Sequence, residues 1–157
     1  MSKMLVLLHK RVVVAVHAAR ARHHPNETGG FLIGLRRGIN MEVTSLTQQA
    51  KGDIATPTSF ERAAVEHRNR IHAIWRSSSG FETLVGDWHS HPRGLGAPSW
   101  ADRKAWRTLA RGLQLPVVGL IDSGGSIPSL YLATGSRLRG ATRLLPCEED
   151  LYHLAFA

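Results

Sequence analysis

Apolar and polar positions along the chain follow two different periods, and the period changes several times. Leu5 to Leu8 is a short apolar run typical of a strand. Apolar residues then recur at helical spacing, which predicts a helix from about 10 to 22 that Pro25-Asn26 ends. A second apolar run, Phe31 to Leu35, follows two glycines, and Met41 to Thr47 is its predicted partner strand.

The next segment predicts a second helix. Ala50 to Pro57 is polar and turn-rich, and Thr58 and Glu61 then have the spacing of a capping box, so the helix is expected to begin there. It is expected to end near Ser77–Gly80. Its predicted apolar stripe consists of Phe60, Ala64, His67, Ile71, Ile74 and Trp75.

A third helix is predicted between strands. Thr83 to His91 is the preceding strand, and Ser99 with Asp102 has the spacing of another N-terminal cap, for a helix that runs to about Arg111. The remaining predicted strands are Pro116 to Ile121, Ser129 to Thr134 and a weaker segment from Arg137 to Leu145. No repeat or linker interrupts this order. The pattern therefore predicts one α/β domain over residues 1–157, with helices against a mixed β-sheet.

Composition narrows the class of protein. A chain of 157 residues with 43% apolar residues can form a core without metals or disulfides. Cys147 is the one cysteine, which excludes disulfide frameworks and cysteine-rich zinc sites and fits a reducing, cytoplasmic location. The N-terminal apolar run is interrupted at His9 and is too short to cross a membrane, so neither a signal peptide nor a membrane span is expected.

The formal net charge of +8 favours an acidic partner. The basic residues are scattered rather than gathered in one run, so nucleic acid is not favoured over an acidic protein surface.

One group of residues predicts metal chemistry. His89 and His91 are two positions apart on a predicted strand, so both imidazoles point to the same face. Asp102 follows eleven residues after His91, at a helix start from which its carboxylate can turn back toward the strand end. Zinc accepts these donors, and three protein ligands leave a fourth position for water, whose pKa zinc lowers to about 7. We therefore predict one zinc ion per chain, in a catalytic rather than a structural site.

The same residues carry a family resemblance. Glu27 precedes Thr28-Gly29-Gly30, and His89-Ser90-His91 is followed by seven residues, Ser99, two residues and Asp102. This pattern resembles the JAMM motif of the MPN-plus zinc metalloproteases, and the resemblance covers about Leu5 to Leu145. It implies an MPN-type sheet of cytidine-deaminase-like architecture. It also implies that His89, His91 and Asp102 bind zinc, that Glu27 transfers protons, and that Ser99 stabilises the oxyanion.

The short chain is most similar to the bacterial branch of that family. The resemblance implies a zinc-dependent isopeptidase that removes a ubiquitin-like modifier, or a similarly conjugated protein C-terminus, from a lysine. Its implied partners are the modifier or its conjugate and the enzymes of a conjugation operon, including anti-phage systems. Three alternatives stay open: a peptidase that processes ubiquitin-like or sulfur-carrier precursors, a RadC-like protein with a nucleic-acid role, and a non-catalytic MPN scaffold.

Several side chains near the motif carry lesser expectations. The modifier tail is expected to lie between Thr83–Trp88 and the loop Arg93–Pro98, as an added strand on an exposed sheet edge. Arg93 and Arg103 are expected to attract an acidic modifier surface. Trp88 and Trp100, which flank the motif, are expected to pack in the core. The second helix is expected to carry His67 and His72 on its face.

Overall fold

The computed structural model describes residues 4–140, 143–148 and 151–156, which form alternating strands and helices. The three helices in these ranges are α1 (Lys10–His23), α2 (Val65–Ser77) and α3 (Trp100–Leu113). The strands are β1 (Met4–His9), β2 (Gly29–Arg37), β3 (Asn40–Leu46), β4 (Ile54–Thr56), β5 (Ser59–Glu61), β6 (Thr83–Ser90), β7 (Val117–Asp122), β8 (Ser129–Ala133), β9 (Leu138–Gly140), β10 (Arg143–Glu148) and β11 (Leu151–Phe156).

Nine of these strands form one mixed sheet. Their order is β10-β11-β1-β3-β2-β6-β7-β8-β9, and β4 and β5 form a separate hairpin. The β1–β3 and β6–β7 pairs are parallel, and the other pairs are antiparallel. A mixed sheet with helices against it confirms the predicted α/β class.

The core lies on both faces of the sheet because successive residues of β7 point in opposite directions. Val118 and Leu120 belong to the larger apolar cluster, which includes the inner face of α1. Val117 and Ile121 pack instead with Trp106 of α3. Gly119 lies under that indole, where a Cβ atom would stand 2.2 Å from the ring. This close approach packs the middle of α3 against the middle of β7.

The predicted start of the second helix is wrong. Residues 59–61 form β5, Thr58 lies in the turn between β4 and β5, and the N-cap of α2 is Ala64. The Ala64 backbone N–H donates to Asp53 Oδ1 over 2.8 Å, so a residue eleven positions earlier caps this segment. Phe60 was predicted on the apolar stripe of the second helix, but it lies in β5, outside that helix.

Two other side chains of the predicted apolar stripe have different outcomes. Trp75 is 50% exposed and lies outside the core, contrary to the prediction. His67 is buried on the inner face of α2, which agrees with its predicted stripe position; Nε2 donates to the buried Asp53 carboxylate over 2.8 Å and Nδ1 contacts Thr47 Oγ1 over 2.6 Å.

The C-terminal segment forms more strands than the sequence pattern indicates. The predicted strand from 137 to 145 is divided into β9 and β10, and its residues 141–142 lie outside the described residues. β11 was not predicted. It pairs antiparallel with β1, which lies at the opposite end of the sequence. No helix in the described part of the chain has the length and hydrophobicity needed to cross a membrane.

Candidate metal centre

The end of β6 presents the two motif histidines. His89 pairs with Gly29 of β2, where a Cβ atom would stand 2.5 Å from the Trp88 carbonyl oxygen and 3.1 Å from the His89 Cβ. Only glycine allows this approach of β2 to the histidine strand. His91 lies one residue beyond β6, and its backbone N–H donates to the Asp122 carbonyl oxygen over 2.8 Å.

The first turn of α3 presents the carboxylate. Ser99 is the N-cap, and its Oγ accepts the Asp102 backbone N–H over 3.1 Å. Asp102 Oδ2 in return accepts the Ser99 backbone N–H over 2.7 Å. The predicted capping signature is therefore confirmed, and this reciprocal box holds the carboxylate toward the strand end.

The structure brings His89, His91 and Asp102 together. One potential ligand atom of each lies within 4.8 Å of the others. His89 Nε2 is 3.2 Å from Asp102 Oδ1, and His91 Nε2 is 3.5 Å from Asp102 Oδ2. The sequence prediction that the carboxylate turns back toward both imidazoles therefore agrees with the geometry.

The chemistry of these donors fits a divalent cation. His91 Nδ1 donates to the Leu95 carbonyl oxygen over 2.5 Å, and in the neutral ring this leaves the Nε2 lone pair facing the cluster. That atom is 2.9 Å from His89 Nε2, so two imidazole nitrogens and a carboxylate converge on one point. Nitrogen and oxygen donors of this kind suit zinc, and three protein donors leave an open coordination position.

Charge interactions shift the pKa values within the cluster. Burial raises the pKa of Asp102, but hydrogen bonds from His89 and His91 outweigh it and hold the pKa far below its ordinary range. The hydrogen bond to Asp102 is the main cause that raises the pKa of His91. Without a cation, the carboxylate therefore favours the protonated form of the His91 ring, and a cation would compete with that proton for the same nitrogen.

Glu27 faces the same cavity from the segment between α1 and β2. Its side chain is almost fully buried, and burial raises the pKa of its carboxyl, while charge on His89 and His91 lowers it. The following residue fixes this segment to β6, since the Thr28 backbone N–H donates to Ser90 Oγ over 3.0 Å and the Ser90 N–H donates back to the Thr28 carbonyl oxygen over 2.8 Å. Residues 27 and 89–91 are thereby held together.

The cavity in front of the cluster has a volume of about 340 Å³. The turn and β5 of the hairpin, residues 57–60, line this cavity, and so do Arg93 and Leu95. Ser99, Ala101 and Ala105 of the third helix region also line it. All five residues singled out by the sequence therefore border one cavity.

Arg62 is a cavity residue that the sequence analysis missed. Its Nε donates to the Gly30 carbonyl oxygen over 2.7 Å and its Nη2 donates to the Trp88 carbonyl oxygen over 2.5 Å. The guanidinium carbon lies 5.5 Å from the centre of the Phe60 ring. Arg62 thus ties the hairpin to β2 and β6, and no local sequence signal indicates these distant contacts.

Two expectations about the surroundings of the motif are wrong. In the predicted segment Thr83–Trp88, the part next to the motif, Gly86–Trp88, pairs with β2 on one side and β7 on the other, so it has no free edge for an added strand. Trp88 is fully buried as expected, but Trp100 is 74% exposed and its ring faces Lys104 Nζ at 5.0 Å.

Comparison with known proteins gives a consistent family assignment. A family model described as prokaryotic homologs of the JAB domain matches residues 9–135. A CD-NTase/cGAS isopeptidase of Escherichia coli (strain TW11681) is 32% identical over 102 residues, which cover 64% of this chain and 65% of that relative. A CD-NTase/cGAS isopeptidase of Vibrio cholerae serotype O1 is 35% identical over 107 residues, 68% of this chain and 69% of the relative.

A probable metalloprotease of Sinorhizobium fredii is 34% identical over 109 residues, 68% of this chain and 66% of the relative. The chain therefore matches about two thirds of the length of these relatives. The solution structure of protein DSY2949 from Desulfitobacterium hafniense superposes with a TM-score of 0.60 at 19% identity, over 87% of this chain and 88% of that one. This last similarity concerns the fold.

Proposed function

Because this chain belongs to the family of prokaryotic homologs of the JAB domain, we propose that it is a zinc-dependent isopeptidase that releases a conjugated protein C-terminus from a lysine side chain. The observation that carries the proposal is the convergence of His89, His91 and Asp102 in a cavity that the buried Glu27 also borders. A three-donor cation site beside a carboxyl of raised pKa suits hydrolysis of an amide bond.

The names of the relatives support the reaction class and indicate a substrate. Two relatives are isopeptidases of CD-NTase/cGAS, and a third is a probable metalloprotease. We therefore favour a CD-NTase-type protein, or a ubiquitin-like modifier, as the conjugated partner of this chain.

In the proposed mechanism, His89, His91 and Asp102 hold the zinc ion. When bound, the ion supplies a Lewis acid that makes a water molecule nucleophilic near neutral pH. Glu27 would accept a proton as the water oxygen bonds to the amide carbonyl carbon, and the same carboxyl would deliver it to the lysine nitrogen as the carbon–nitrogen bond breaks. The raised pKa of Glu27 suits both halves of this transfer, because the carboxyl must first gain a proton and then release it.

Ser99 has a separate role in the proposal. Its Oγ accepts the Asp102 backbone N–H, which fixes the oxygen at the edge of the cavity. The hydroxyl proton can then donate to the carbonyl oxygen on which negative charge develops. Ser99 thereby acts both as a helix cap and as an oxyanion donor.

The approach of the substrate is set by the cavity walls. The conjugated tail is proposed to enter between the hairpin, residues 57–60, and the side that contains Ser99, Ala101 and Ala105. Small side chains on the helix side leave room for a narrow extended tail. This path replaces the predicted one along Thr83–Trp88, because Gly86–Trp88 is paired on both sides.

A comparison of substrates tests the proposal. The protein would be incubated with a lysine-linked conjugate, a linear C-terminal extension of the same modifier and an unfolded peptide, with His89→Ala as the matched inactive variant. We expect zinc-dependent release from the lysine-linked conjugate and no release by the variant. Faster cleavage of the linear extension would favour the precursor-processing alternative, and equal cleavage of the unfolded peptide would contradict the isopeptidase assignment.

A further inference from the structure

A second polar cluster lies behind the candidate metal centre, where α1 meets the end of β7. The Asp122 side chain is fully buried there, and its Oδ2 accepts a hydrogen bond from His17 Nδ1 over 2.8 Å. Its Oδ1 accepts the Gly124 backbone N–H over 3.0 Å. The other nitrogen of the His17 ring, Nε2, lies 3.1 Å from the Ser126 carbonyl oxygen. Both ring nitrogens of His17 therefore hold the chain around Asp122.

This cluster is connected to a motif histidine through the backbone. The Asp122 carbonyl oxygen accepts the His91 N–H over 2.8 Å, and Arg20 Nη2 donates to the Pro92 carbonyl oxygen over 3.3 Å. His91 lies just beyond the last residue of β6, so regular strand pairing ends before it. The hydrogen bonds to the Asp122 carbonyl oxygen and from Arg20 hold the backbone of His91 and Pro92, where strand pairing has ended.

The position of Asp122 depends in turn on its side-chain partners. After the loss of His17, the buried Asp122 carboxylate would keep only the Gly124 N–H, and Oδ2 would have no donor. Such a group is strongly unfavourable, so Asp122 would shift toward water or rearrange the end of β7. A shift of the Asp122 carbonyl oxygen would rotate the peptide before His91 and move the Nε2 atom of its ring. Groups that orient a metal-binding residue commonly affect metal affinity although they do not touch the metal.

We propose that His17, acting through Asp122, is a positioning residue for His91 and raises the affinity of the site for zinc. The inference rests on the proposed function, because it assumes that His91 is a zinc ligand. Because His17 lies on α1, this helix contributes to metal binding, which the motif residues alone do not indicate.

The test compares His17→Ala and His17→Asn with a matched control. Asparagine places its Nδ2 where the Nδ1 atom of His17 stands, so His17→Asn keeps a donor to Asp122. The control is His9→Ala, which removes a histidine–carboxylate pair of the same 2.8 Å length, formed by His9 Nε2 and Glu42 Oε1 away from the cavity. Zinc affinity would be measured by chelator competition, the geometry of the site by the absorption spectrum of the cobalt-substituted protein, and the stability of the metal-free protein by thermal unfolding.

We expect His17→Ala to weaken zinc binding about 10-fold and to change the cobalt spectrum. His17→Asn should recover most of the affinity, and His9→Ala should bind zinc as the unsubstituted protein does. If His17→Ala does not fold, Asp122→Asn serves instead, because it keeps the backbone carbonyl and loses one of the two side-chain acceptors; it should weaken zinc binding to a similar extent.

The result that would overturn the inference is specific. If His17→Ala or Asp122→Asn lowers the unfolding temperature but binds zinc with unchanged affinity and an unchanged cobalt spectrum, His17 is only structural. The unsubstituted protein would still bind one zinc ion in that case, and the proposed function would stand. If the unsubstituted protein bound no zinc, the proposed function itself would fail.

Discussion

Glu27 and two other acidic residues near the motif differ in whether their carboxyl groups are available for proton transfer in the cavity. Glu27 borders the cavity, and burial raises the pKa of its carboxyl. Asp87 is buried but accepts the Trp106 indole N–H over 2.5 Å and lies 3.6 Å from Arg62, and Asp122 is held by His17. Both aspartates are thus occupied by structural contacts. Among these three, Glu27 has the position for proton transfer.

Replacement of Glu27 by glutamine tests this assignment. Glu27→Gln preserves the shape of the side chain but cannot accept and release a proton, so turnover should fall about 100- to 10 000-fold. Zinc content should stay at one ion per chain, because His89, His91 and Asp102 are unchanged. Initial cleavage rates and elemental analysis check both parts. Unchanged turnover would remove Glu27 from the mechanism.

At the scale of elements, local signals in the sequence were sufficient only where the partners are local. The cap of α3 was predicted because Ser99 and Asp102 hydrogen-bond to each other's backbone within one turn. Thr58 and Glu61 have the same spacing, yet β4–β5 pairing and the distant Asp53 decide the structure there. β11 was missed for the same reason, since its partner is at the other end of the chain.

The candidate site follows the same rule. The strand and cap that carry His89, His91 and Asp102 are local features, so their convergence was predictable from spacing. Arg62 was not, because its hydrogen bonds reach residues 26 and 32 positions away. The exposure of Trp100 could have been read from helical periodicity, because Trp100 lies six residues before the buried Trp106, outside the face that Trp106 and Ala110 bury.

The network that anchors the hairpin gives a prediction about pH. Burial raises the pKa of Asp53, but the backbone N–H groups of Ala50 and Ala64 and the ring of His67 outweigh it, so the pKa lies below its ordinary value. A carboxyl whose pKa is lower in the folded state stabilises the protein above its unfolded pKa of about 3.9 and loses this effect as pH falls through the folded pKa. Asp53→Asn should therefore lower the free energy of unfolding by about 1–3 kcal/mol at pH 7, and the difference should shrink below about pH 4.

Urea unfolding of both proteins across this pH range measures the effect. Glu42→Gln is the control, because Glu42 is more exposed and its pairing with His9 and Arg37 should contribute less than about 1 kcal/mol. A difference between Asp53→Asn and the unsubstituted protein that stays constant with pH would show that the charge of Asp53 is not responsible.

At the scale of the whole molecule, the core is formed by hydrophobic side chains on the two faces of the sheet. The candidate metal centre meets it at the His89 ring, which lies 6.1 Å from the ring of the buried Trp106, and the rest of both clusters packs without the site. The fold should therefore form without metal, in contrast to small zinc domains whose core is insufficient.

Metal removal checks this independence. Chelated protein should keep its circular dichroism spectrum and its cooperative thermal unfolding, with a midpoint about 5 to 10 °C lower than in zinc at about 100 times its Kd. His89→Ala should unfold like the chelated protein and show no shift when zinc is added. Loss of cooperative unfolding on chelation would identify a structural ion instead.

The cavity also sets a limit on what the whole molecule can admit. Its volume of about 340 Å³ is lined by the hairpin and by Ser99, Ala101 and Ala105, and Arg62 fixes the hairpin to the sheet through two carbonyl oxygens. Since the walls are anchored, a bulky residue next to the cleaved bond cannot be accommodated by a small movement of the hairpin. Size selection should therefore act on the end of the conjugated tail.

A tail substitution tests this limit. Replacing the small penultimate residue of the conjugated protein by tryptophan should lower the initial cleavage rate by about 10- to 100-fold, because crowding in a packed site costs about 1–3 kcal/mol. Alanine at the same position is the control and should be cleaved nearly as fast as the natural tail. The net charge of +8 should also favour the binding of an acidic partner. Added salt should therefore lower the cleavage rates of the natural, alanine and tryptophan conjugates by the same factor and leave the ratios of these rates unchanged. If the tryptophan conjugate were cleaved as fast as the alanine conjugate, the tail would not pass between these walls, and a broad-specificity peptidase with an open approach to the cluster would be the better description.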